Sequence, residues 1–125
     1  MQPGYYFHVE PGRSFVTGGK HYPDGPELLK IRTAIAENTP EFLKIVNKKS
    51  FVDQFGELRG EKLIKAPKGF DPAHAAVEYL KLKECMAFQE FPDEKVLTSA
   101  EFPKQLVKTL KEMHPLIAFL RKALS

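Results

Sequence analysis

Four residues near the N-terminus carry side chains suited to chemistry: His8, Glu10, Arg13 and His21. His8 and Glu10 stand at i and i+2, so on a strand they point to the same side. His21 can join them from a facing strand. Two imidazoles and a carboxylate form a donor set for zinc or another divalent cation. The competing reading places all three on the solvated face of a sheet, with Tyr5, Phe7 and Val9 toward the core. A His-x-Glu pair is common by chance, and three ligands need a convergence that spacing does not supply. No metal site is therefore assigned. The lone cysteine leaves no Cys-x-x-Cys, which argues against a zinc deaminase. Arg32, four residues beyond Leu28 and bordering an apolar helix face, joins the ligand-binding candidates. An inward arginine needs a carboxylate or carbonyl partner.

Other motifs carry weaker chemistry. The stretch "TGGKH" at 17–21 suggests a phosphate loop, but that motif needs Gly at position 14 and Ser or Thr after the lysine. Those positions hold Ser14 and His21. A looser anion site from the Gly18 and Gly19 amides with Lys20 is what survives. Arg59, Lys62, Lys65 and Lys68 recur every third residue and could grip phosphates. Glu57 and Glu61 interrupt that patch, and most such runs are simply solvated. Cys85 lies in an apolar setting that raises a thiol pKa and lowers its reactivity. His74 falls in the first turn of an expected helix, and His114 precedes a proline. The residues name no cofactor.

The elements that must position these groups follow from periodicity. Residues 5–10 alternate with period two, Pro11-Gly12 makes a turn, and Phe15, Val16 and Thr17 begin a second strand. Gly18-Gly19 is expected to bend or bulge that strand. Leu28, Ile31 and Ile35 mark a helix. Thr39-Pro40 restarts the chain into a second, shorter one. Ser50 opens a third, and Gly56 ends it. Residues 57–70 read as an irregular connection with room for a short strand at Leu63-Ile64. Asp71-Pro72 starts another helix, with Val77 and Leu80 facing the core. Residues 84–91 read as a strand ended by Pro92, although a helix could also run through them. Thr98 and Glu101 resemble a capping box. Leu106, Leu110, Met113, Ile117, Leu120 and Leu124 form a stripe that passes through Pro115. A proline there predicts a kink or a split at His114-Pro115.

Composition bounds the rest. The 125 residues suit one domain over 1–125, with 42% hydrophobic and 28% charged residues. A net charge of +3 is too small to argue for nucleic acid by itself. One cysteine excludes an intrachain disulfide and fits a reducing compartment. No apolar run approaches the ~18 residues of a membrane span, and no signal-peptide pattern opens the chain, so a cytoplasmic protein is the default.

In order, the chain reads "GYYFHVEPGRSFVTGG", "LLKIRTAI", "FGELRGEKLIKAPKGFD", "LKLKE" and "MHPLIAFLRKAL". These stretches resemble the domain of unknown function 2461 family, bacterial conserved hypothetical proteins. The resemblance runs from about Pro3 to Leu124. The Tyr-Tyr-x-x-x-Glu-Pro-Gly hairpin and the Phe-Gly-x-Leu-x-x-x-x-Leu-x-x-x-Pro-x-Gly stretch carry most of it. It implies a mixed α/β domain and no established reaction, substrate or cofactor. Members of that family are longer, with an N-terminal half bearing an Arg-Asp-x-Arg-Phe type motif followed by lysine and tyrosine. That motif is absent here, so the chain is expected to be either the C-terminal half of such a protein or a naturally short member. Any activity needing those arginines would be missing or supplied by another chain.

The reading that results is an α+β fold: an antiparallel sheet nucleated by the N-terminal hairpin, with three to four helices packed against it. One functional expectation is a small-ligand or anion site on the hairpin face, lined by His8, Glu10, Arg13, His21 and Arg32. The other is a noncatalytic module binding a protein or nucleic acid, the latter through residues 59–68. An exposed sheet edge or face predicts self-association.

Overall fold

Alternation over residues 5–8 and 14–20 produces the hairpin, and a third strand joins its far side. In the computed structural model, which describes residues 2–91, 93 and 97–125, β1 spans Gly4–His8, β2 Ser14–Lys20 and β3 Cys85–Phe91. They form an antiparallel sheet in the order β1-β2-β3. Gly12 takes the left-handed turn conformation at φ +74, and the Arg13 N–H donates to the Glu10 carbonyl at 2.9 Å. The strand reading of 84–91 holds. Pro92, expected to end that strand, lies outside the described residues.

The expected bulge at Gly18-Gly19 is absent, because pairing with β1 and β3 is unbroken through both glycines. Their purpose is close approach. Gly19 sits at φ +142, and a Cβ there would overlap the Cys85 carbonyl oxygen of β3. A Cβ on Gly18 would meet Met113 Sδ at 2.8 Å and Ile117 Cδ1 at 3.3 Å. These neighbours come from the long terminal helix, which rests directly on the central strand.

Five helices stand among the described residues, at the five places the sequence marks and against the three to four expected to pack on the sheet: α1 Gly25–Glu37, α2 Thr39–Val46, α3 Lys49–Phe55, α4 Val77–Leu80 and α5 Phe102–Leu124. Asp24 and Glu27 close a reciprocal capping box on α1, with bonds of 2.8 and 3.0 Å. Thr39 does not cap α2. Its hydroxyl donates back to the Ile35 carbonyl at 2.8 Å, and Asn38 is the capping position. Gly56 ends α3 at φ +66.

The segment after α3 departs from expectation in two places. Its strand-type pairing among the described residues is two single bridges, Arg59 to Met86 and Lys62 to Leu82, not a strand at Leu63-Ile64. The helix expected from Asp71-Pro72 is confined to α4. The Asp71 carboxylate accepts from the Ala73 N–H at 2.8 Å, and His74 Nδ1 accepts from the Ala76 N–H at 3.0 Å. These local bonds offer the backbone an alternative to helix. His74 therefore precedes the helix and is no first-turn residue.

The terminal stripe becomes one continuous helix, with neither a split nor a break at Pro115. Pro115 and Lys111 are both exposed, so the carbonyl left without a donor faces water. Glu101, not Thr98, occupies its N-cap, without a side-chain capping bond. Met113, Ile117 and Leu120 are fully buried, as the stripe predicts, and Thr109, Leu116 and Phe119 widen the buried face. Met113, Leu116, Phe119 and Leu120 pack with Val16, Ile31, Ile35, Phe42 and Leu80 into one core. Burial of a large aliphatic side chain of this kind contributes about 1.5–3 kcal/mol.

The glycine contacts rank three substitutions. Gly19→Ala should cost about 3 kcal/mol or more, because both backbone conformation and space oppose it. Gly18→Ala should cost about 1–2 kcal/mol, since the flexible Met113 thioether can yield. Gly25→Ala, with open space around it, should be nearly neutral. Urea denaturation midpoints of the three variants give the order directly.

Candidate functional site

Because helices cover only one side of the sheet, the other side displays its side chains. On β1 these are Tyr6 and His8, on β2 Phe15, on β3 Phe88 and Glu90; Thr17 lies on the same side but is buried. The register sets His8 opposite Phe15 and Phe15 opposite Glu90, with Tyr6, Thr17 and Phe88 in the next row. The rings form a connected series across all three strands. His8 and Phe15 stack with centroids 5.0 Å apart, Phe15 and Phe88 lie 5.3 Å apart, and Tyr6 stands 6.3 Å from both His8 and Phe15.

Arg59 finishes this surface on the β3 side. Its backbone N–H donates to the Met86 carbonyl at 2.8 Å, which anchors the residue beside the strand. Its guanidinium lies over the Phe88 ring at 4.8 Å and binds Glu90 at 2.8 Å. At the turn end, Glu10, Gly12, Arg13, Ser14, Phe15, Arg59, Phe88 and Glu90 enclose an open cleft of about 360 Å³. That volume falls within the usual range for small-ligand sites. Ser14 holds the turn in shape: its hydroxyl donates to the Glu10 carbonyl and accepts from the Glu10 N–H, both at 3.0 Å. Arg13 is exposed at the cleft and makes no ion pair among the described residues.

The five ligand-binding candidates divide. His8 and Glu10 lie together, as their spacing predicts, with His8 Nε2 3.1 Å from Glu10 Oε2. Arg13 lines the same cleft as Glu10. His21 does not join them: His8 faces Phe15, and His21 lies beyond the far end of β2, 3.1 Å from Glu84. Arg32 is also elsewhere. Its Nη2 donates to the Leu82 carbonyl at 3.3 Å, the carbonyl partner that an inward arginine requires, and burial pulls its pKa down. Among the described residues no group of three His, Cys, Asp or Glu side chains comes together to hold a metal.

The remaining expectations are resolved by contacts. Tyr5 and Phe7 do turn toward α5: Tyr5 Oη lies 3.1 Å from His114 Nδ1, and Phe7 lies 5.8 Å from Phe102. Both stay partly exposed, and Val9 is exposed. The anion site at Gly18, Gly19 and Lys20 is overturned. Both glycines sit inside the central strand, and the Lys20 side chain, 3% exposed, reaches Glu27 at 3.3 Å. The basic run does not make one face. Arg59 belongs to the cleft, Lys62 lies 3.7 Å from Glu78, and Lys65 and Lys68 line a separate hollow with Ile64, Phe70 and Lys81. Cys85 is a buried, inert thiol, its pKa pushed up to about 12 by desolvation. Phe15, Phe88 and Glu90 escaped the sequence reading as site residues. The alternation over 84–91 places Phe88 and Glu90 on one side of a strand, but only the register shows which side is open.

Glu27 makes a pH test available. Its carboxyl is held below the ordinary 4.5, first by the Asp24 backbone N–H and then by the bond and charge of Lys20, against opposing desolvation. A folded value below the unfolded one adds stability above the unfolded pKa, lost as pH falls through the folded value. Acidification should therefore lower the urea midpoint of the wild type more steeply than that of Glu27→Gln.

No curated protein and no solved structure matches the chain. A family model described as conserved hypothetical protein (DUF2461) matches residues 1–119, nearly the whole sequence and in agreement with the hairpin and Phe-Gly motifs. The chain with the open aromatic sheet face thus belongs to the DUF2461 family of conserved hypothetical proteins.

Proposed function

We propose that this protein is a binding module whose open sheet face takes a small planar ligand with an anionic group, of the nucleotide class. The cleft carries this reading: Phe15 and Phe88 supply ring faces, and Arg13 supplies a cation not committed to a carboxylate among the described residues. Stacking on an aromatic side chain is worth ~1–3 kcal/mol per base. Glu10 and Glu90 at the rim accept hydrogen bonds, which suits a ring bearing amino or N–H donors. Of the five ligand-binding candidates, His8, Glu10 and Arg13 belong to this reading. His21 and Arg32 have their own partners away from the cleft. No catalytic role is assigned to any of them.

Calorimetric titration of the protein with AMP, GMP, CMP and UMP tests this. At least one mononucleotide should give saturable heat and the matching nucleoside less. Arg13→Gln should weaken binding about tenfold, a loss of ~1.4 kcal/mol, without changing the melting temperature. Absence of saturable heat with all four mononucleotides would refute it.

A second reading, a noncatalytic module for an anionic macromolecule, draws on the other hollow. Lys65, Lys68 and Lys81 line it with Ile64, which is 93% exposed, and no carboxylate lines it. Filter retention of a labelled single-stranded oligonucleotide should then fall steeply with salt and be lost in the Lys65→Glu, Lys68→Glu double variant. Retention insensitive to both would eliminate it.

A further inference from the structure

The two edges of the sheet are treated differently. The β3 edge is met near its start by the segment after α3, through an isolated bridge between Arg59 and Met86, and the Arg59 guanidinium lies over the Phe88 ring. The β1 edge pairs only with β2 among the described residues, which leaves one row of backbone donors and acceptors without a strand partner. Proteins usually protect such an edge with lysine, proline, an inward charge or a bulge. The β1 sequence Gly-Tyr-Tyr-Phe-His contains neither proline nor a permanently charged side chain, and its pairing with β2 has no bulge. Exposed apolar surface also concentrates here. Tyr5, Tyr6, Phe7 and Val9, four of five consecutive positions, are exposed, with Tyr6 at 58%.

We infer that the β1 edge pairs with β1 of a second copy, antiparallel about Tyr6, to give a continuous six-stranded sheet. The choice of occupant rests on the strand being complementary to itself. In this register Tyr5 meets Phe7 of the other copy on the helix side, an aromatic cross-strand pair. Gly4 meets His8 on the open side, so the bulkier ring faces the smallest residue. Tyr6 meets Tyr6 on the two-fold axis, which is the isologous arrangement that closed dimers require. No two permanently charged groups oppose each other anywhere along the strand. The open faces of both copies then join, and the ring series Phe88, Phe15, His8 and Tyr6 continues across the axis into its counterpart.

Sedimentation velocity of the whole chain without ligand tests this, and its outcome is separate from that of the nucleotide titration. The wild type should show concentration-dependent dimers. Tyr6→Lys and Tyr6→Glu each place like charges on the axis and should weaken association roughly tenfold or more. An equimolar mixture of the two should restore it, a result that misfolded variants cannot produce. Tyr22→Lys, at an exposed position outside the sheet, should leave association unchanged. A wild type that stays monomeric at high concentration, or a dimer that survives both Tyr6 variants, would overturn the inference.

Discussion

The whole arrangement depends on a thin place in the middle of the sheet. Gly18 and Gly19 leave the central strand without side chains where the terminal helix and the third strand must both come close. On the core side, the missing Cβ of Gly18 lets Met113 and Ile117 settle against backbone. At Gly19, the Cys85 carbonyl occupies the space a side chain would need, and only glycine accepts that φ without strain. With the strand so thin, α5 lies low on the sheet and the other helices gather around it. The opposite face is left uncovered.

Polar residues then fall where burial allows them. Lys20, at the end of the central strand, is drawn inside and satisfied by Glu27 from the capping box that starts α1. The same glutamate therefore ends the sheet and begins the helix. Burying a charge in this way is tolerable only with a partner in good geometry. The polar and charged groups of the open face stay in water instead: His8 beside Glu10, Arg59 with Glu90. Exposed pairs of this kind contribute little stability, about 0–1 kcal/mol each. Their effect is to orient side chains around the aromatic rings.

Local signals carried the elements and missed the meetings between distant parts of the chain. The hairpin was legible because Pro11-Gly12 separates two alternating runs, and α5 because six apolar residues share one helix face. His8 and Glu10 were legible as a pair, since two residues on a strand necessarily share a side. His21 was misjudged because membership in the site is a question of register, and β2 runs on to Lys20 before releasing it. The role of Arg59 was hidden for the same reason. It meets Phe88 and Glu90 only through a bridge between segments about 30 residues apart. The helix at α4 was expected too long because Asp71-Pro72 looks like a helix start in sequence, yet Asp71 and His74 spend their acceptors on nearby amides.

The pairing of β2 with β3 also fixes an order of events. Thr17 donates its hydroxyl to the Ala87 carbonyl across 70 residues of chain, whereas the β1–β2 hairpin closes within a five-residue turn. Distant strand pairing must first overcome loop-closure entropy, so contacts of this range form late. During folding, the hairpin exists before its second neighbour arrives, and β2 is then an edge itself. Its run Ser-Phe-Val-Thr-Gly-Gly carries no charge until Lys20. Until β3 arrives, both edges of the hairpin lack a strand partner, and pairing with β3 closes one of them.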